Sequence, residues 1–230
     1  MNVTVQLWPG REPVPADSVA VVIDVIRATT TLTAAFARGA ARVIPAASLD
    51  LAREVAAATP GALLCGERHG RVVPGFDLGN SPAEYTAERV HGRTLVFAST
   101  NGAPALVHAA PARERWLVAF VNASAVVARL GRASKVTLVC SGQVGRFAVE
   151  DTACAGWIAR ALRDRGARLE GPAAAFAVSL APVTAAQVHA LVQGSIGGRD
   201  LRRLGGEFAR DVEFCAALDS MPQAFTLPRE

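Results

Sequence analysis

The chain has 230 residues, 51% of them hydrophobic, with a formal charge of +4 and an isoelectric point near 9.3. That length supports one substantial core and is short for two domains of usual size, so a single domain over 1–230 is expected. Nucleic acid is not indicated: Lys135 is the only lysine, no basic run exceeds Arg202-Arg203, and no basic stripe interleaves with aromatics.

Residues 2–8 alternate loosely and read as a first strand, followed by a loop carrying Pro9, Gly10, Pro13 and Pro15. Val19 to Ile23 is an unbroken apolar run rich in β-branched residues, the pattern of a strand buried on both faces. Asp24 and Arg27 stand where that run ends. Burying a lone carboxylate is costly, so Asp24 is expected at the strand's C-terminal end, paired or bound to a metal. Thr29, Thr30 and Thr31 precede an Ala-rich helical stretch, which one of them would cap, and the free N–H groups of such a helix start suit an anion. Arg42 to Pro45 reads as a short strand, Leu49 to Thr59 as a helix stopped by Pro60-Gly61, and Ala62 to Arg68 as a buried strand running into Glu67 and Arg68.

From His69 to Thr86 the chain is turn-rich and reads as a long ordered loop, the kind that often carries function. A strand at 94–98 ends in Ser99-Thr100-Asn101-Gly102, with a short helix from Pro104. A strand at 116–121 leads into a helix at 125–130. Val136 to Cys140 ends in Ser141-Gly142, and Glu150-Asp151 open a helix to about Arg165. Periodicity leaves 173–180 open between strand and helix. Residues 183–193 read as helix, 194–198 as loop, and 201–218 as helical segments broken at Gly205-Gly206. This alternation predicts an α/β protein, a three-layer α/β/α arrangement with a mixed, largely parallel central sheet. The recurring strand, polar turn and helix suggest an internal duplication, although no alignable period is visible.

Asp24, Glu67, Glu150 and Asp151 are hard oxygen donors at strand ends or motif loops and suit Mg²⁺, which takes one or two protein carboxylates along with water and substrate oxygens. Arg27, Arg68 and Arg146 each lie within four residues of one of these acids, and guanidinium groups bind phosphate, sulfonate or carboxylate oxygens. Thr29, Asn80-Ser81, Ser99-Thr100-Asn101-Gly102 and Ser141-Gly142 add hydroxyls, amides and unhindered N–H groups. A small polyanionic ligand is the leading expectation. P-loop and dinucleotide fingerprints are missing. Cys140 and Arg146 have the spacing of a cysteine-phosphatase loop, but a cysteine ending an apolar strand reads as structural. Cys65, Cys140, Cys154 and Cys215 are too dispersed for a zinc cluster or disulfide scaffold, and the apolar content allows a homodimer. No segment supplies the roughly 18 uninterrupted apolar residues of a membrane span, so a cytoplasmic protein without membrane contact is expected.

Asp-Val-Ile-Arg-Ala-Thr-Thr-Thr at 24–31, Gly-Glu-Arg at 66–68, Gly-Asn-Ser-Pro with Glu84 at 79–84, Ser-Thr-Asn-Gly at 99–102 and Glu-Asp-Thr with Cys154-Ala155-Gly156 together resemble the 2-phosphosulfolactate phosphatase family. The tail, with Gly198, Leu201, Gly205, Asp211 and Pro222 in order, is similar too. Ala98 and Ser99 stand where the pattern has threonines, which keeps a hydroxyl at 99. The resemblance implies a Mg²⁺-dependent acid phosphatase that hydrolyses 2-phosphosulfolactate to sulfolactate, a step towards coenzyme M. Asp24, Arg27, Glu150 and Asp151 would then be catalytic, and two or three of the four carboxylates would hold the ion. The alternatives are another small 2-phospho acid as substrate, or a non-enzymatic module that binds and senses small organophosphates.

Overall fold

The computed structural model of the chain describes residues 1–10 and 12–228. Its first half runs through β1 (Asn2–Gln6), β2 (Val19–Ile23), α1 (Ala28–Ala37), β3 (Arg42–Pro45), α2 (Leu49–Ala57), β4 (Leu63–Arg68), β5 (Arg71–Val72), α3 (Ala87–Val90), β6 (Thr94–Ala98) and α4 (Gly102–His108). The second half adds β7 (Glu114–Val118), α5 (Ala123–Arg129), β8 (Lys135–Cys140), α6 (Val149–Arg163), β9 (Arg168–Leu169), α7 (Pro172–Ser179), α8 (Ala185–Gly194), α9 (Ile196–Leu204), α10 (Glu207–Cys215) and β10 (Phe225–Leu227). No helix of the described residues is long and apolar enough to cross a membrane.

The expected α/β class with largely parallel strands is what forms, with the strands shared between two sheets. The larger has the order β10-β7-β2-β8-β1-β9 and the smaller β3-β6-β4-β5. Only the edge strands β10 and β5 run antiparallel to their neighbours. Successive strand residues point to opposite faces, and this alternation builds the layers. Val19, Val21 and Ile23 of β2 join one core with residues of α5 to α8, while Ala20 and Val22 face the other way, against α1 and α4. That second core also takes Val43, Leu95 and Phe97 from the smaller sheet, so α1 and α4 form a helical layer shared by both sheets. Val96 and Ala98, on the remaining face of β6, meet Ala52 of α2. Each sheet is thus covered by helices on both faces, in three-layer α/β/α fashion.

Several boundaries differ from the expectation for identifiable reasons. The apolar run at 116–121 stops being strand at Val118 because the Asn122 side chain turns it, accepting from Ala119 N–H and donating to Leu117 O. Residues 194–198 are not a loop: Ser195 Oγ accepts the Gly198 N–H and caps α9, which carries both glycines of its first turn. The open stretch at 173–180 is helix α7.

The smaller sheet depends on one close approach. Gly66 has φ +145°, and a Cβ there would lie 1.8 Å from Ala98 O on the neighbouring strand. Gly66→Ala is expected to force β4 from β6 and lower stability by about 2 to 3 kcal/mol, read as a fall in the urea midpoint followed by circular dichroism. An unchanged midpoint would refute the close approach.

Candidate active site

In the larger sheet Ile23 stands opposite Cys140, and in the smaller sheet Gly66 stands opposite Ala98. The next residues along the chain, Asp24, Ser141, Glu67 and Ser99, therefore leave the C-terminal edges of two sheets together. Open α/β sheets place their ligands at such edges. A cavity of about 370 Å³ lies there, with Asp24, Arg27, Glu67, Asn80, Ser99, Thr100 and Asn101 on its walls. Helix α9 adds Gly197, Asp200, Leu201 and Leu204 to its lining.

Asp24 is 4% exposed. Its Oδ1 accepts the Ala28 N–H at 3.2 Å, and Gly102 lies so close that a Cβ there would sit 2.5 Å from Asp24 Oδ2. Glu67 is held by two backbone amides, Oε1 accepting from Thr100 at 2.7 Å and Oε2 from Gly70 at 2.9 Å. Ser99 Oγ accepts from Ala103 N–H, and Asn101 Oδ1 accepts from Val144 N–H at 2.9 Å. Asn80 is 5% exposed, and its buried Oδ1 has no hydrogen-bond partner. Arg27 is buried, its Nη1 donating to Asp211 Oδ2 at 2.6 Å and its Nη2 to Gly70 O at 2.5 Å.

Other predicted residues lie behind these walls. Thr29 is fully buried; its hydroxyl accepts from Asp24 N–H and lies 2.8 Å from Asp24 O and 2.6 Å from Val118 O, so it has no access to a ligand. No threonine caps α1, because the helix begins at Ala28 and places all three inside it. The carboxylate of Asp24 occupies the amide expected to meet an anion. Asp151 is 2% exposed and takes Val25 N–H on Oδ1 and both Ser141 Oγ–H and Gly142 N–H on Oδ2. Asp151, Ser141 and Gly142 therefore tie strand ends together and do not line the cavity. Ser81 donates to Asp211, Arg68 to the Glu67 carbonyl, and Gly102 serves as the space against Asp24. Glu150 and the exposed Arg146 lie in an adjoining groove of about 500 Å³, which shares Gln143 and Val144 with the cavity.

Burial dominates the electrostatics. It pushes Asp24 up to about 7, with the Glu67 and Glu150 charges adding to the rise and the Ala28 N–H and Ser141 hydroxyl easing it. Asp151 is driven well above the usual carboxylate range by burial and then by the Asp24 and Glu150 charges. Glu150 is raised by burial, eased by Ser195 and Arg199. Cys140 is fully buried and its thiol is pushed up by burial, as a structural cysteine should be.

A family model described as 2-phosphosulpholactate phosphatase matches residues 5–228. The chain belongs to the 2-phosphosulfolactate phosphatase family. It is 39% identical over 220 residues to a protein of Carboxydothermus hydrogenoformans named "Probable 2-phosphosulfolactate phosphatase", covering 95% of this chain and 90% of that one. Proteins of the same name from Synechococcus sp. strain JA-3-3Ab (39% identical; 91% of this chain, 88% of that one) and Thermotoga petrophila (36%; 90% and 88%) are similar. The family is one of phosphoric monoester hydrolases.

This 2-phosphosulfolactate phosphatase family member also has cavity residues that the motifs do not announce: His69 and Gly70 directly after Glu67-Arg68, Gln143 and Val144 in the turn after β8, and the α9 residues. The first four adjoin motif residues and could have been included on that ground. Among the described residues no group of three or more His, Cys, Asp or Glu is arranged to hold a metal ion. Mg²⁺ needs fewer protein ligands than that. Asp24 and Glu67 fit that smaller donor set: both line the cavity, and the charge on buried Asp24 is one that a cation would offset.

Because Asp24 is raised from 3.8 in water to about 7 in the fold, the native state holds its proton more tightly. Its contribution to stability is full below pH ~4 and is lost as pH rises through 7. With chelator present, stability should fall between pH 5 and pH 8, and Asp24→Asn should flatten part of that fall, by at most about 3 kcal/mol. Urea unfolding at the two pH values measures it; an equal fall in both proteins would show that Asp24 is not the group.

Proposed function

We propose that the chain is a Mg²⁺-dependent phosphatase acting on 2-phosphosulfolactate or a closely related small 2-phospho acid. The observation that carries this reading is the single cavity on which Asp24, Glu67 and Arg27 meet in a member of this family. Mg²⁺ would be held by Asp24 and Glu67, and when bound it would supply a Lewis acid that draws charge from the phosphoryl group. Arg27 offers its remaining N–H groups to the anion. Ser99 Oγ accepts from Ala103 N–H, which leaves its own proton free to donate to the ligand, and the Asn101 amide adds N–H donors. Such fixed donors orient the phosphoester for in-line displacement by water. The α9 side chains Leu201 and Leu204 give part of the wall an apolar surface. A cation binding at Asp24 must displace the proton that this carboxyl holds near neutral pH, so ion affinity should rise as pH passes 7.

Phosphate release from a panel of 2-phospho and 3-phospho three-carbon acids, with Mg²⁺ and with chelator, tests the reading. Turnover should favour 2-phosphosulfolactate and drop at least a hundredfold on chelation. Metal-dependent turnover of another member would reassign the substrate. Tight binding of an intact phosphoester without turnover would overturn the enzyme in favour of a binding module.

A further inference from the structure

Asp211, on α10, does not line the cavity, yet both of its oxygens hold cavity walls. The residue is 2% exposed. Oδ2 accepts from Arg27 Nη1 at 2.6 Å, and Oδ1 accepts from Ser81 Oγ at 2.6 Å. Ser81 follows Asn80, whose carbonyl accepts the Thr31 hydroxyl and whose side-chain Oδ1 is buried without a partner at the cavity wall. Phe208, one turn before Asp211 on α10, sets its ring 5.6 Å from the Arg27 guanidinium carbon and 5.6 Å from that of Arg71. The Arg27 guanidinium is therefore fixed by a carboxylate, a carbonyl and a ring. Of its five N–H donors two are used, which leaves three.

We propose that Asp211 is the positioning residue of this cavity, holding the Arg27 guanidinium and the Asn80-Ser81 loop at one fixed spacing for an anionic ligand. The proposal rests on the reading of the cavity as the phospho-acid site. A buried ion pair gains little stability over well-packed apolar side chains of the same size, so its value here is geometric. Without Asp211, the Arg27 charge is left on a cavity that also carries the carboxylates of Asp24 and Glu67. Arg27 would fold onto them and leave the anion without its donors. A planar guanidinium locked before the ligand arrives loses little entropy on binding.

The test uses the full chain with Asp211→Asn, Ser81→Ala, Arg27→Lys and the Asp211→Asn/Arg27→Lys double variant. KM and kcat are read on the phospho acid that the wild type turns over best, and Kd is read calorimetrically for inorganic phosphate. Asp211→Asn should raise KM and the phosphate Kd at least tenfold with kcat changed less than threefold. Ser81→Ala, which keeps the ion pair, should raise both about threefold. In the Arg27→Lys background Asp211→Asn should add no more than about threefold, the share carried by the Ser81 contact, because the remainder acts through Arg27. KM and Kd within twofold of wild type in Asp211→Asn and Ser81→Ala, whatever the change in urea midpoint, would reduce Asp211 to a structural residue and overturn the proposal. If Asp211→Asn does not fold, Ser81→Ala decides alone by the same criterion. If the wild type turns over no phospho acid, the enzymatic reading fails separately and the phosphate Kd series still decides for Asp211. A wild type that binds no phosphate would overturn both.

Discussion

The buried carboxylate of Asp24, at the meeting of two sheet edges, is the constraint around which the neighbouring loops are built. It forms no ion pair among the described residues. It has one amide on Oδ1, a glycine without a Cβ against Oδ2, and the Ser141 hydroxyl nearby. These contacts recover only part of the lost hydration, which is why the group holds its proton to about pH 7. An arrangement that costs stability in the empty protein is what a site for a cation or for proton exchange looks like.

Two further acids show how the surrounding loops spend their donors. Asp151 takes an amide from each of two strand ends and the Ser141 hydroxyl; Glu67 takes amides from the loops after β4 and β6. In many phosphate sites the free backbone amides at strand ends and helix starts face the anion. Here several of them hold carboxylates in place instead, and the donors the cavity wall offers to the proposed anion are side chains: Arg27, Asn80, Ser99 and Asn101. Backbone amides do not relax far, so carboxylates fixed in this way present a rigid set of oxygens.

Strands such as β2, β6 and β8 were legible because each is apolar on both faces, and the polar residues just after them fell at the cavity or against it. Asp24, Glu67, Ser99 and Asn101 could be read for that reason. Alternation tells which face a residue takes but not which strand lies beside it, so the division into two sheets was not readable. Glu150 and Asp151 were read as a pair, yet neighbours on a helix diverge by roughly 100°. One enters the groove and the other the strand junction. The threonines misled because hydroxyls before an Ala-rich run look like caps, whereas the turn of α1 had already begun. The start of helix α9 was hidden because Gly194-Ser195-Ile196-Gly197-Gly198 has the composition of a loop, and only the Ser195 cap makes it a helix start.

The same helix brings apolar side chains to the cavity wall beside the charges. Leu201 and Leu204 pack beside Gly70 while the next helix, α10, sends Asp211 to Arg27, so the tail of the chain both lines the cavity and holds its guanidinium. An apolar lining replaces water with material of lower dielectric, which strengthens each interaction beside it. The consequence has two signs. Without a cation beside it, buried Asp24 carries the penalty of its lost hydration and holds a proton more tightly. With a cation against Asp24 and an anion against Arg27, the same low dielectric rewards both contacts. Burial therefore makes the unpaired carboxylate costly and the paired one favourable, and the difference between those two states contributes to binding.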